Sequence, residues 1–140
     1  MNSGVTFARR VFLLAGVIGL LTLAPQYFME GRVGRDFPPP ITHPEYFYGF
    51  VGVGLVWQIL FLIISTDPQR LRPAMIAAVL EKLSFGVPVI VLYLQGRLPA
   101  TILGFGLFDL FLGVLFVISY RVTAGATVNQ RILEGPGNQQ

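Results

Sequence analysis

Four long apolar segments, separated by short polar connections, make up most of the chain. They cover residues 11–29, 46–66, 73–95 and 99–120. About 20 apolar residues in an α-helix cross the roughly 30 Å hydrocarbon core of a bilayer. The pattern therefore predicts an all-α fold, an integral membrane four-helix bundle over residues 11–121. A short tail at 1–10 precedes it, and a partly disordered tail at 122–140 follows.

Helix-breaking residues mark the predicted span ends. Pro73 stands where the first turn of a helix tolerates proline, and Pro68 ends the second span. Gly96 is the residue type that closes a helix, here the third span. Thr42 and Glu45 have the spacing of a capping box ahead of the second span. The connection between the first two spans, residues 31–43, is rich in glycine and proline, and its three consecutive prolines at 38–40 favour an extended polyproline conformation.

The composition agrees with a membrane protein and excludes several other classes. Apolar residues make up 54% of the chain and charged residues 12%, whereas soluble domains carry about 25% charged residues. The chain has no cysteine, which excludes disulfides, iron–sulfur clusters and thiolate metal sites. Its single histidine is too little for a dedicated zinc or haem site, so we expect neither metal nor cofactor.

The arginines predict the orientation. With four spans, both termini and the middle connection share one side of the membrane. That side carries six arginines, at positions 9, 10, 70, 72, 121 and 131, and the other side carries three, at 32, 35 and 97. Because cytoplasmic segments are enriched in arginine and lysine, both termini are predicted to be cytoplasmic. The net charge of +3 thus reflects topology, and the expected partner is the lipid bilayer, not nucleic acid.

The first span also has features of a signal peptide. Arg9 and Arg10 precede an apolar run, as in secretory and twin-arginine signals. However, Pro25 would directly follow the small residue Ala24 at the cleavage position, and the apolar character continues to Met29. We therefore expect an uncleaved first helix.

Ionisable residues interrupt the last two spans. At ~1.5 Å per residue, Glu81 lies ~12 Å from one end of its span and Asp109 ~15 Å from the opposite end of its own. The two carboxyl groups, with Lys82 beside Glu81, should therefore share one depth, and Gln58 reaches a similar level in the second span. Ionisable groups inside a membrane are costly and are functional candidates by default. These four residues form the predicted ligand-binding cluster.

Small residues indicate which helix faces pack closely. Gly106, Asp109 and Gly113 form one stripe on the fourth span. The predicted inward stripe of the third span consists of Ala77, Ala78, Glu81, Ser84 and Pro88. Pro88 also removes a backbone donor and so frees the carbonyl of Ser84.

Four further residues are predicted at the periphery of a pocket, namely Trp57, Ser84, His43 and Glu45. Trp57 lies deep for an interfacial residue, so its indole needs a partner, and core packing is the alternative to ligand stacking. His43 and Glu45 stand at the outer start of the second span, where a loop histidine and a helix cap are the simpler explanation.

This pattern resembles the DoxX-like small four-helix membrane proteins of bacteria. The likeness covers residues 11–122 and rests on the glycine-rich stretch 48–54, the tight turn at 70–73 and an acid in each of the last two helices. The resemblance implies a multi-pass protein of the bacterial inner membrane. Some members of that group are tied to thiosulfate or quinone redox chemistry, terminal oxidases or oxidative-stress complexes. The resemblance implies no catalytic residue for this chain.

Several functions stay open on the sequence. The chain could be an accessory subunit of a larger membrane complex or a homo-oligomer, or it could bind a lipophilic molecule such as a quinone, isoprenoid or sterol-like lipid. Alternatively, Glu81 or Asp109 could act as acid or base in an enzyme with a lipid-soluble substrate. A proton-coupled transporter is a third possibility. The alternative to all of these functions is purely structural: Lys82 could form a buried ion pair with Asp109 or Glu81 that only fixes the helix register.

Overall fold

Most of the described chain is helical. The computed structural model describes residues 3–133, with side chains described over 3–124. Its helices are α1 (Ser3–Leu23), α2 (Glu30–Asp36), α3 (Pro44–Thr66), α4 (Arg72–Leu94) and α5 (Ala100–Leu133), with a 3-10 helix over Ala24–Phe28. Within residues 3–133 there is no strand. Four helical segments are long and apolar enough to cross a membrane: Ser3–Phe28, Pro44–Thr66, Arg72–Leu94 and Ala100–Ala124. The prediction of an all-α chain with four such helices is confirmed.

Both ends of α4 follow from local sequence. Pro73 occupies the first turn, where its missing N–H would have no helical partner in any case. At the other end, Gly96 adopts a left-handed conformation with φ 69°. The Gly96 N–H donates to the Tyr93 carbonyl at 2.9 Å, and the Arg97 N–H donates to the Leu92 carbonyl at 3.0 Å. This is the Schellman arrangement, so the prediction that Gly96 closes the helix is confirmed.

The connection between the first two long helices includes a short helix that was not predicted, whereas residues 38–40, where an extended conformation was predicted, are not helical. It contains α2, whose first turn carries Glu30 and whose last turn carries Arg35. Both charges complement the helix dipole. Arg32 Nε also lies 3.3 Å from Asp36 Oδ2, one turn further along. These charge placements were the available signal for a helix, and the surrounding glycines and prolines concealed it.

Two helices continue past the predicted spans. α1 begins at Ser3, eight residues before the first predicted span, and α5 continues to Leu133. A helix satisfies its own backbone hydrogen bonds, so it does not have to end where the apolar residues end. The last part of the predicted disordered tail, residues 134–140, lies outside the described residues.

The chain forms two compact units. Of the described residues, the first contains those up to Phe12 and those from Ile64 onward. In it α4 and α5 pack as antiparallel neighbours, because a Cβ built on Gly86 would meet Leu110 whereas one built on Gly106 would meet Val89. Glycine at these two positions lets the helix backbones approach closely.

The beginning of α1 belongs to this first unit and packs against α5. The rings of Phe12 and Phe116 stack with centroids 4.2 Å apart, and both side chains are fully buried. Nearer the start of α1, a Cβ built on Gly4 would lie 2.9 Å from the Val122 carbonyl oxygen. The order of these two contacts makes α1 antiparallel to α5.

The second unit, Leu13–Ile63, is held together by close contacts between α1 and α3. A Cβ built on Gly16 would lie 2.9 Å from the Gln58 carbonyl oxygen. One turn later on α1, Gly19 lies directly against the Gln58 side chain. On α3, Gly52 faces the Tyr27 hydroxyl, 2.7 Å from where its Cβ would be. At Gly16, where the obstacle is the backbone of α3, glycine lets the two helices approach closely.

The tight contact between α4 and α5 gives a first prediction. At Gly106 an added Cβ would lie 2.6 Å from a methyl group of Val89, a side chain that is stiff at χ1. At Gly104, two residues earlier on the same helix, no atom lies within 4 Å. We expect Gly106→Ala to be destabilised by about 1–3 kcal/mol through overpacking.

Gly104→Ala is the matched control for this substitution. It should be neutral, or stabilised by up to about 1 kcal/mol through helix propensity. Thermal unfolding in detergent, followed by circular dichroism, measures both variants. Equal unfolding midpoints would contradict the packing described for Gly106.

Candidate functional site

Lys82 lies at the centre of the buried face of α4. The buried residues of this helix recur every three or four positions and are Met75, Ala78, Lys82, Gly86 and Val89. On α5, Gly113 makes room for the stem of the lysine, since a Cβ built there would lie 3.3 Å from the Lys82 Cβ. The lysine therefore passes close to the α5 backbone, and its ammonium group reaches Asp109, one turn away.

The ammonium group of Lys82 is shared between two carboxyl groups. Its Nζ donates a hydrogen bond to Asp109 Oδ1 at 2.9 Å, and it lies 3.1 Å from Glu81 Oε2. The second contact has an ion-pair distance without the geometry of a hydrogen bond. Glu81 Oε2 is buried and receives no hydrogen bond from any described residue. Asp109 is thus the bonded partner of Lys82, and Glu81 is the electrostatic one.

These three side chains, which we call the carboxylate–lysine cluster, lie deep between apolar helices. Their exposed fractions are 5% for Lys82, 16% for Glu81 and 19% for Asp109. Lys82 is ten residues into α4, or about 15 Å along a helix of about 34 Å. The cluster contains one base and two acids, so one ammonium group cannot neutralise it. A proton, a cation or the hydrogen-bond donor of a ligand has to complete it, because an uncompensated buried charge is costly.

Glu81 lies at the border between the buried face of α4 and an exposed one. Ala77, Ser84 and Pro88 are spaced at helical intervals around it and are exposed. The prediction that these three small residues point inward is therefore wrong, whereas Ala78 is buried as predicted. Because α4 is apolar on every side, its sequence does not distinguish the buried face from the exposed one. Small residues lie on both faces, and Lys82 lies on the buried face. Ala77, Ser84 and Pro88 form an exposed strip of small side chains on the same side of α4 as Glu81.

The predicted stripe on α5 is correct. Gly106 and Gly113 are both buried and contact Val89 and Lys82. Asp109 lies between them and is bonded to Lys82. The spacing of two glycines around one acid was therefore a sufficient signal for this face.

The function of the cluster can be inferred neither from a metal site nor from a related protein. Over the described part of the chain, no three His, Cys, Asp or Glu side chains are grouped so that they could hold a metal ion. Comparisons with models of known protein families, with curated proteins and with solved structures find no match. The chemistry of the site therefore has to be inferred from its own side chains.

Gln58 and Trp57 belong to the second unit, unlike the three charged residues of the cluster. The Gln58 side chain is buried, and its Nε2 donates to the Gly54 carbonyl at 3.0 Å, within its own helix. The Trp57 ring lies 6.3 Å from that of Phe61, an aromatic contact of the packing type. The structure thus groups Glu81, Lys82 and Asp109 and gives Gln58 a partner in α3.

The remaining peripheral residues lie at the start of α3. His43 Nδ1 and Glu45 Oε1 are 3.0 Å apart, and both side chains are largely exposed. Glu45 therefore pairs with His43 at the helix start where a capping box was predicted. A contact that the sequence reasoning missed lies nearby: the Tyr48 hydroxyl donates to Glu30 Oε2 at 2.9 Å. The two residues are 18 positions apart, a separation that no local motif indicates.

Proposed function

We propose that the chain is a multi-pass protein of the bacterial inner membrane, folded as a four-helix bundle with both termini in the cytoplasm. Four helices of sufficient length and hydropathy support insertion. The arginine bias of six against three supports the orientation. Many large apolar side chains are exposed on these helices, among them Leu21, Val56, Leu80 and Val114. In a bilayer they face lipid, which removes the cost of exposing them to water.

We further propose that the protein binds a lipophilic small molecule with a hydroxyl-bearing polar head, such as an isoprenoid alcohol, a sterol-like lipid or the reduced, hydroquinone form of a quinone. The observation that carries this proposal is the incomplete pairing at Glu81. Its buried oxygen Oε2 lies 3.1 Å from the Lys82 ammonium group but takes no hydrogen bond from any described residue. A buried acceptor without a donor costs about 1–3 kcal/mol. A hydroxyl group from a ligand would supply that donor.

The exposed strip on α4 supplies a route for such a ligand. Ala77, Ser84 and Pro88 are small, exposed and on the same side of α4 as Glu81, so a lipophilic molecule within the hydrocarbon could lie against them. Its polar head would bind the Glu81 carboxyl group while its apolar part lies along α4. Lys82, held by Asp109, keeps the Glu81 carboxyl group in position.

This arrangement predicts that Asp109 governs binding without touching the ligand. When Asp109 is replaced by asparagine, the ammonium group loses its bonded carboxylate and is expected to turn to Glu81. The Glu81 carboxyl group is then satisfied by Lys82 and no longer needs a ligand donor. Because a hydrogen bond to a charged group contributes about 1.5–3 kcal/mol, we expect ligand retention to fall at least about tenfold.

Native mass spectrometry of protein gently extracted from its own membrane tests this. The wild-type chain should carry a lipid-like mass, and Asp109→Asn should lose it. Asp36→Asn is the matched control, since Asp36 is exposed and its partner among the described residues is Arg32, and it should retain the mass. A bare chain, or a stoichiometric complex with another protein and no small molecule, would contradict ligand binding. The second result would indicate an accessory subunit with a purely structural ion network.

A further inference from the structure

Arginines gather at one end of the first unit. Arg9 and Arg10 lie on the stretch of α1 that packs against the later half of α5. Arg9 Nη2 donates to the Thr66 carbonyl at the end of α3, at 3.1 Å. Arg72 Nε donates to the Tyr120 carbonyl at 2.9 Å, and its guanidinium lies 3.8 Å from the centre of the Tyr120 ring. These contacts place the start of α4, the end of α3 and the later half of α5 at the same end of the first unit.

Arg70 and Arg121 belong to the same end. Arg70 lies in the turn between α3 and α4, and Arg121 directly follows Tyr120, the partner of Arg72. We call the five residues Arg9, Arg10, Arg70, Arg72 and Arg121 the arginine face. The opposite end of this unit, at the turn from α4 to α5, carries one arginine, Arg97.

The guanidinium groups of the arginine face have no carboxylate partner among the described side chains. Arg10, Arg70 and Arg121 are exposed, and no described residue accepts a hydrogen bond from their side chains. The nearest acid in sequence, Asp67, accepts the backbone N–H of Arg70 at 3.2 Å. Glu81 is nine residues further along α4 than Arg72, or about 13 Å. The face is therefore a concentration of positive charge that no described carboxylate pairs with.

We infer that the arginine face binds the phosphate headgroup of an anionic phospholipid. Guanidinium groups bind phosphate oxygens in bidentate geometry, and basic clusters beside membrane helices attract anionic lipids. A lipid is favoured over free phosphate by the surfaces that adjoin the face. Ile76 on α4, and Val117 and Ile118 on α5, are exposed apolar residues within a turn or two of the arginines. Acyl chains would lie along them while the headgroup meets the guanidinium groups.

This inference rests on the proposed membrane insertion, but its test is independent of the ligand at Glu81. The full chain in detergent is titrated with dioctanoyl-phosphatidylglycerol or dioctanoyl-phosphatidylcholine, and bound lipid is counted by native mass spectrometry. We expect phosphatidylglycerol to bind at least about tenfold more tightly. The preference should weaken as salt is added, because screening shortens the range of charge interactions.

Two triple variants with equal changes in net charge locate the site. Arg10→Gln with Arg70→Gln and Arg121→Gln removes three unpaired guanidinium groups, each contributing about fivefold in affinity. The lipid preference should therefore disappear. The matched control combines Arg32→Gln, Arg35→Gln and Arg97→Gln, and it should keep the preference. Asp109→Asn should keep it as well, which separates this site from the carboxylate–lysine cluster.

Three results would overturn the inference. One is equal binding of the two lipids by the wild-type chain. Another is equal loss of preference in both triple variants, which would assign the effect to overall charge. The third is displacement of phosphatidylglycerol by inorganic phosphate at the same concentration as the lipid, which would make the face a site for free phosphate.

Discussion

Replacing Lys82 by methionine is expected to destabilise the protein by about 3–5 kcal/mol, the usual cost of leaving a buried charge without its partner. Methionine preserves the length and packing of the side chain, so the stem would still fit beside Gly113. What is lost is the ammonium group that Asp109 and Glu81 share. Two carboxyl groups would then face each other between apolar helices with no base between them.

The expected rescue separates charge from packing. Combining Lys82→Met with Glu81→Gln and Asp109→Asn removes all three charges and should restore stability to within about 1 kcal/mol of wild type, because neutral replacements of buried ion networks are often tolerated. Arg97→Met is the control for loss of an exposed cation and should be nearly neutral. Unfolding in a denaturing detergent, followed by circular dichroism, measures the series. A Lys82→Met protein as stable as wild type would mean that the cluster does not hold α4 and α5 together.

Much of the helical framework could be predicted from the sequence because its signals are local. Pro73 and Gly96 act on the backbone of their own turns, and both mark the ends of α4 as predicted. The stripe of Gly106, Asp109 and Gly113 could also be predicted from the sequence. Two glycines mark the face that packs closely on a neighbouring helix, and a carboxyl group on an apolar helix is favoured on that face rather than towards lipid. Here the helical period alone was sufficient.

The inner face of α4 could not be predicted in the same way. Hydrophobic periodicity identifies a buried face only when the opposite face is polar, and α4 is apolar all round. Ala78 and Ala77 are equally small, yet the first is buried and the second exposed. The choice depends on Lys82 fitting against Gly113, a contact between residues on different helices. The sequence also could not show that Gln58 belongs to a different unit from Glu81, Lys82 and Asp109. That separation depends on contacts between helices, which a local sequence pattern does not contain.

The two binding proposals differ in what they require of the chain. The carboxylate–lysine cluster depends on a buried acceptor that lacks a donor, and the arginine face depends on exposed cations that lack anions. In each case the described residues lack the partner group, and a molecule found in membranes could supply it. Under these proposals, a ligand with a polar head would reach the first from the hydrocarbon, and a phospholipid headgroup would meet the second at the membrane surface.

Blocking the strip beside Glu81, without changing any charge, is expected to remove the bound ligand. Ala77 lies one turn before Glu81 and is exposed, so the ring in Ala77→Phe would cover the approach to the carboxyl group. Ile76→Phe is the matched control, because Ile76 is exposed on the adjacent side of the same turn. Neither substitution touches the contacts of Lys82, and both variants should unfold at the wild-type temperature.

The most direct measurement is the amount of lipid-like mass retained by these two variants, extracted from the same membrane and compared with wild type by native mass spectrometry. Loss of the hydrogen bond and of the surface contact should leave Ala77→Phe with less than about a tenth of the wild-type ligand, while Ile76→Phe keeps it. Full retention by Ala77→Phe would contradict ligand binding at Glu81 and would leave the cluster with a structural role.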